Sequence, residues 1–127
     1  MTHMEKCKAL RADTAKHYNC CQAVLVPFAA EMGVTEEQAY KMGAHFGSGM
    51  RHGSTCGAIT GALMVLGMLG YDEKTATDLL RKVREGHGAL DCATLLRTAA
   101  EAGIPRKAHC DGIVFDMLQV VEDIINA

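Results

Sequence analysis

From Cys56 to Tyr71 the chain runs for 16 residues without a charge, "CGAITGALMVLGMLGY". No other stretch constrains the fold as much. It is short for a membrane span, which needs about 20 apolar residues, and four glycines interrupt it. A segment this apolar in water must be surrounded. It predicts a buried central helix with the rest of the chain packed around it. Gly57 and Gly61 share one face of that helix, so a neighbouring helix is expected to approach closely there. Thr60 is expected only to bond back to a helix carbonyl.

The remaining chain reads as helices punctuated by glycine. No stretch alternates apolar and polar residues for long, so strands are not expected. Helices are predicted at about 2–16, 20–32, 36–45, 56–69, 72–85, 92–102 and 110–125. Pro27 should kink the second, and Gly33 should stop it. "TEEQ" at 35–38 is a capping box that starts the third. "GSGMRHGST" at 47–55 reads as a loop, and Gly70 as the cap that ends the central helix. "GHG" at 86–88 breaks the fifth helix, and Gly103 with Pro105 closes the sixth. Met64, Met68 and Met117 fall in apolar stripes and read as core filler. Arg81, Lys82, Arg84 and Glu85 read as a solvated face. The expected fold class is all-α, a compact helical bundle of six to seven helices.

At 127 residues the chain suggests one domain, 1–127, with a helix and break at 1–18 ahead of the bundle proper at 19–126. Net charge is −2, and there are three Phe, three Tyr and no Trp. That balance argues against nucleic-acid binding. The polar start "MTHMEKCKALRADTAKHYN" has no apolar signal core, so a cytoplasmic location without a membrane span is expected.

Six cysteines are many for such a chain, and in a reducing compartment they point to metal binding or redox chemistry. The openings "NCCQAV", "STCGAI" and "LDCATL" each set a capping-type residue, Asn19, Thr55 or Asp91, directly before cysteine. "HCDGIV" sets Cys110 in the same place behind a histidine. Cys20, Cys56, Cys92 and Cys110 are therefore all expected at helix N-termini. Free N–H groups and the positive end of the dipole there favour thiolates, which are both the nucleophile and the metal ligand. Cys7 reads as an incidental thiol. Cys21 reads as a packing residue, with a vicinal disulfide to Cys20 or soft-metal binding as alternatives. Of His45, His52, His87 and His109, His52 and His109 are the candidates for extra ligands or proton carriers.

These residues resemble a bacterial and archaeal family of small proteins described as redox-active and named for the cysteine pattern C_GCAxxG_C_C. The core motif stands here as Cys56-Gly57-Ala58-Ile59-Thr60-Gly61. The first cysteine lies in Asn19-Cys20-Cys21-Gln22-Ala23-Val24, and Cys92 and Cys110 follow as third and fourth. The resemblance covers roughly residues 15 to 125. It implies an all-helical redox domain, often encoded near transporter genes, and a related domain has been associated with an iron–sulfur site. Cys21 departs from the pattern, where a small residue is usual. No CxxCH is present, so covalent c-type haem is not expected.

The leading expectation is a redox protein whose Cys20, Cys56, Cys92 and Cys110 bind an iron–sulfur cluster for electron transfer. Metal-free thiol–disulfide exchange is the rival. A transporter-linked interaction module with structural cysteines is a third reading, and zinc storage a fourth. A redox partner is implied. The sequence leaves open whether the sulfurs meet within one chain or across a homodimer. It names no substrate pocket or acid–base pair, so no enzymatic activity is assigned.

Overall fold

In the computed structural model, which describes residues 1–127, the uncharged run becomes a helix over Gly57–Met68 with Ala58, Ile59, Ala62, Val65 and Leu66 buried. It is the fifth of eight α-helices. In order these are α1 (His3–Ala12), α2 (Cys20–Leu25), α3 (Ala29–Met32), α4 (Glu36–Met42), α5 (Gly57–Met68), α6 (Glu73–His87), α7 (Cys92–Glu101) and α8 (Arg106–Ile125). There is no strand, so the fold is all-α as expected. The eighth helix arises at Pro27, where Val26–Phe28 tighten into a 3₁₀ turn that divides the second predicted helix into α2 and α3. No helix is long and apolar enough to cross a membrane.

The centre of the bundle is α2, α5 and α8, each packed on the other two. Leu25, Phe28, Ile59, Leu66, Met117 and Leu118 are among its fully buried side chains. Each such burial stabilises the fold by about 1.5–3 kcal/mol. The α2–α5 contact is backbone to backbone. A Cβ on Gly61 would stand 2.9 Å from the Cys21 carbonyl oxygen and 3.1 Å from Val24 Cβ, and one on Gly57 would stand 2.7 Å from the Phe46 carbonyl oxygen. The buried polar residue, Gln22, is satisfied within this contact region: its Nε2 donates to the Tyr40 carbonyl at 2.8 Å.

Several boundaries differ from the sequence reading. Helix α1 ends at Ala12 rather than Lys16, because Asp13 Oδ1 accepts the N–H groups of Ala15 and Lys16 at 2.8 and 3.1 Å and turns the chain. Helix α4 stops at Met42 rather than near His45, and α6 runs on to His87 before Gly88 turns it. The largest difference is α8. It begins at Arg106, with Pro105 at its N-cap, rather than at Cys110.

At the far end of α1, His3 ties three elements together. Its ring bonds Glu122 on α8 and Glu31 on α3, the latter at 2.7 Å, and lies against Phe28 with centroids 4.2 Å apart. Burial pulls its pKa down, but the two carboxylates outweigh that and leave it raised.

The glycine contact yields a test. Gly61→Ala forces a methyl against the α2 backbone and is expected to destabilise the protein by about 1–3 kcal/mol. Gly67→Ala, where nothing lies within 4 Å of the added carbon, should not. Denaturant unfolding of both variants measures the difference.

Candidate functional site: a four-cysteine cavity

The N-terminal ends of α2, α5 and α7 meet at one cavity, and α8 passes beside it. Each cysteine is brought there by a local device. For Cys20 it is a capping box: Asn19 Oδ1 accepts the Gln22 N–H at 2.8 Å, and Gln22 Oε1 accepts the Asn19 N–H at 2.9 Å. Asn19 Nδ2 also donates to the Gly43 carbonyl at 3.0 Å, which fixes the start of α2 against the end of α4.

Cys56 and Cys92 are placed by each other. Two backbone bonds join their segments: Cys56 N–H donates to the Leu90 carbonyl at 2.9 Å, and Cys92 N–H to the Ser54 carbonyl at 2.6 Å. Thr55 stands opposite Asp91 in this short antiparallel bridge. Asp91 then caps α7 by accepting the Thr94 N–H at 2.8 Å. Thr55, expected to cap α5, is occupied by the bridge instead. The N-cap position falls to Cys56 itself, which makes no side-chain capping bond, although the nearby Ala58 and Ile59 N–H groups favour its charged form.

The segment before the bridge is the most strained backbone in the chain. Ser48, Met50 and Arg51 have φ of 53, 59 and 68°, a left-handed turn that non-glycine residues rarely adopt. Gly49 within it has φ 63°, and a Cβ there would stand 2.6 Å from Cys92 Cβ. Only glycine lets this turn press against Cys92.

Cys110 arrives differently. It lies one turn inside α8, not at its start, so the expectation of four cysteines at helix N-termini holds for three. Arg106 precedes it by one turn and so shares its face. The result is a cavity of about 120 Å³ with Cys20, Cys56, Cys92 and Cys110 all on its wall, together with Arg11 and Arg106. His17, His109, Leu95 and Ile113 also line it. All four sulfurs come from one chain. No three His, Cys, Asp or Glu side chains are grouped closely enough to hold a single metal ion, and all six cysteines are free thiols.

The electrostatics do not follow helix position. Cys20 and Cys110 are neighbours on the cavity wall. The Cys110 sulfur, then burial, holds the proton on Cys20. Cys20 in turn pulls the Cys110 pKa below the usual thiol range, helped by the Arg106 and Arg11 guanidinium groups. Burial pushes Cys56 up despite the two nearby N–H groups, and burial with the nearby Cys110 pushes Cys92 up. The one thiol that ionises readily is thus the one away from a helix end. Arg11 is held in place by Asp111 Oδ1 at 2.7 Å and the Tyr18 carbonyl at 2.9 Å.

The other candidates fall outside the cavity wall. Cys7 and Cys21 are fully buried, and burial pushes each up to about 12. Cys21 Sγ packs 3.9 Å from Met64 Sδ. His45 bonds Arg51 at 3.1 Å, and His87 pairs with Asp116 at 2.7 Å. His52 is exposed, so of the four weighed histidines His109 alone lines the cavity. Sequence reasoning missed Arg11, Arg106 and His17. Arg106 was recoverable: a helix started at Pro105 would have put it one turn before Cys110.

The fold and this cavity define a class, small all-helical proteins that gather four cysteines from distant segments. The chain belongs to the family described as "Putative redox-active protein (C_GCAxxG_C_C)", whose family model matches residues 18–124. Neither a curated protein nor a solved structure matches it.

Labelling tests the charge pattern. Iodoacetamide should modify Cys110 at lower pH than an ordinary thiol, and leave Cys7 and Cys21 untouched until the protein unfolds. Arg106→Gln removes a positive charge that favours the thiolate, so it should raise the Cys110 value and slow labelling at neutral pH. Peptide mapping across a pH series reads each site.

Proposed function

We propose that this redox-family protein transfers electrons through an iron–sulfur cluster held by Cys20, Cys56, Cys92 and Cys110. The observation that carries the reading is the common cavity: four thiols from α2, α5, α7 and α8 face a central space of about 120 Å³. A single zinc ion would need its sulfurs about 2.3 Å from one point, and no such grouping exists. A cluster is larger than an ion, and thiolates set around a cavity suit it better.

The donor set also fits. Four thiolates supply the ligands that such clusters take. The Ala58 and Ile59 N–H groups near Cys56 favour its thiolate, and N–H groups close to sulfur are a lever on cluster potential. Arg11 and Arg106 offset part of the negative charge of the thiolates. Leu95 and Ile113 give the wall an apolar side that limits water. When bound, the group would supply one-electron chemistry. The chain supplies the cage, the charge balance and the N–H donors.

Anaerobic purification followed by iron and acid-labile sulfide analysis tests this. Iron and sulfide should be present or restored by reconstitution, and each of Cys20→Ser, Cys56→Ser, Cys92→Ser and Cys110→Ser should reduce them. Cys7→Ser and Cys21→Ser should not. A colourless protein that takes up no iron would end the cluster reading.

A second reading rests on one pairing, Cys20 with Cys110 on the same cavity wall, each acting on the other's proton. It supports metal-free exchange in which these two thiols are oxidised to a disulfide. Mild oxidation of metal-free protein should then remove two hydrogens from the Cys20 and Cys110 peptides, reversibly. Free thiols at both positions after oxidation would exclude it.

A further inference from the structure

Outside the cysteine cavity a second hollow of about 520 Å³ opens between the end of α1, the loop leading to α2 and the first turns of α8. Its cations are Arg11, Arg106 and Lys107, and His17 also lines it. Arg11, His17, Arg106 and Cys110 belong to both hollows and form the wall between them.

Three cations, Arg11, Arg106 and Lys107, stand at this hollow against two carboxylates, Asp13 on its wall and Asp111 beside it. Asp13 is the acidic residue on its wall, and Asp13 Oδ1 is already engaged by the N–H groups of Ala15 and Lys16. Asp111 holds Arg11 Nε at 2.7 Å and Lys107 Nζ at 3.0 Å, one carboxylate between two cations. Arg106 has no carboxylate partner: its guanidinium bonds the Ser48 hydroxyl at 3.2 Å, and it lies one turn before Cys110 on α8. Compare the basic residues of α6. There Lys74 and Arg81 pair with Asp78, and Arg81 also with Glu85, along one exposed helix face. The cations of the hollow come instead from two distant segments and converge, in a chain whose net charge is −2. Such a positive concavity draws anions. Its size falls in the range of about 300–1,000 Å³ usual for small-molecule sites, and guanidinium forks match oxyanions and carboxylates.

We propose that this hollow binds a small anionic molecule, an oxyanion or carboxylate, seated on Arg106 and Lys107 against the outer side of Cys110. The site is independent of whether the four thiols hold a cluster or pair as disulfides. Its occupant would lie beside the redox centre rather than in it.

Titration of the full-length protein with sodium sulfate, and separately with sodium malonate, tests the site. Sodium chloride at matched ionic strength is the reference, and amide NMR shifts are the readout. The expected result is saturable shifts confined to residues 10–18 and 106–111, with affinity about tenfold weaker in Arg106→Gln, the scale of one lost charge-assisted contact. Lys107→Gln should also weaken binding, and Lys82→Gln on α6 should not. Malonate binding alongside sulfate supports the shared anion chemistry, and sulfate binding alone narrows the class to inorganic oxyanions. Shifts that chloride reproduces equally would overturn the proposal, as would affinity unchanged in Arg106→Gln. Circular dichroism checks the fold of each variant, and if Arg106→Gln does not fold, Lys107→Gln decides the outcome by the same criterion.

Discussion

The near-contact of two helix backbones, α2 against α5, is the constraint on which the rest of the structure depends. Gly57 and Gly61 leave α5 without side chains where the Cys21 peptide and the Phe46 carbonyl press in. Because the axes come so close, Cys20 at the first position of α2 and Cys56 at the N-cap of α5 reach the same cavity. A side chain between them would push those helix ends apart. The burial of Val24, Leu25, Ile59 and Leu66 holds the contact closed, since each excludes water from the same seam.

A second layer of organisation places the remaining sulfurs. The two-bond bridge between residues 54–56 and 90–92 works as a ruler between α5 and α7 and sets Cys56 and Cys92 in fixed register. The left-handed turn at Ser48–Arg51 is held by the Ser54 N–H on the Gly49 carbonyl at 2.8 Å, by Arg106 on the Ser48 hydroxyl and by packing against Cys92. On the other side, α1 contributes Arg11 to the cavity although it lies ahead of the family-matched region. The environment of the sulfurs is thus built by segments on both sides of the motif that marks the family.

How much of this could be read from residues alone divides by range. Local signals were legible. The uncharged run, the cap residue Asn19, the capping box at Thr35, the kink at Pro27 and the stop at Gly33 each act within a few residues, and the structure has them where expected. Errors began where one residue could serve two purposes. Pro105 fences off α7 and also starts α8, and reading only the first role moved Cys110 to a helix end it does not occupy. Thr55 has the chemistry of a cap but lies in a bridge whose other half is at Asp91. The charge pattern was the least legible. Helix ends favour thiolates in general, yet burial outweighs them at Cys56 and Cys92, while Cys110 is favoured by Arg106 one turn before it and by Arg11 through tertiary placement that no spacing encodes.

The four sulfurs are also far apart along the chain, and that has a topological consequence. Cys20 and Cys110 enclose about 90 residues, so any chemistry that joins them ties nearly the whole polypeptide into one loop. In the chain-entropy picture, closing a loop of that length removes roughly 4–5 kcal/mol of freedom from the unfolded ensemble. Occupied or oxidised, the site would act as a clasp around the bundle. Empty and reduced, it leaves the same helices held by packing alone. Under either proposed chemistry, the resistance of this small protein to unfolding would be coupled to the chemical state of its cysteines.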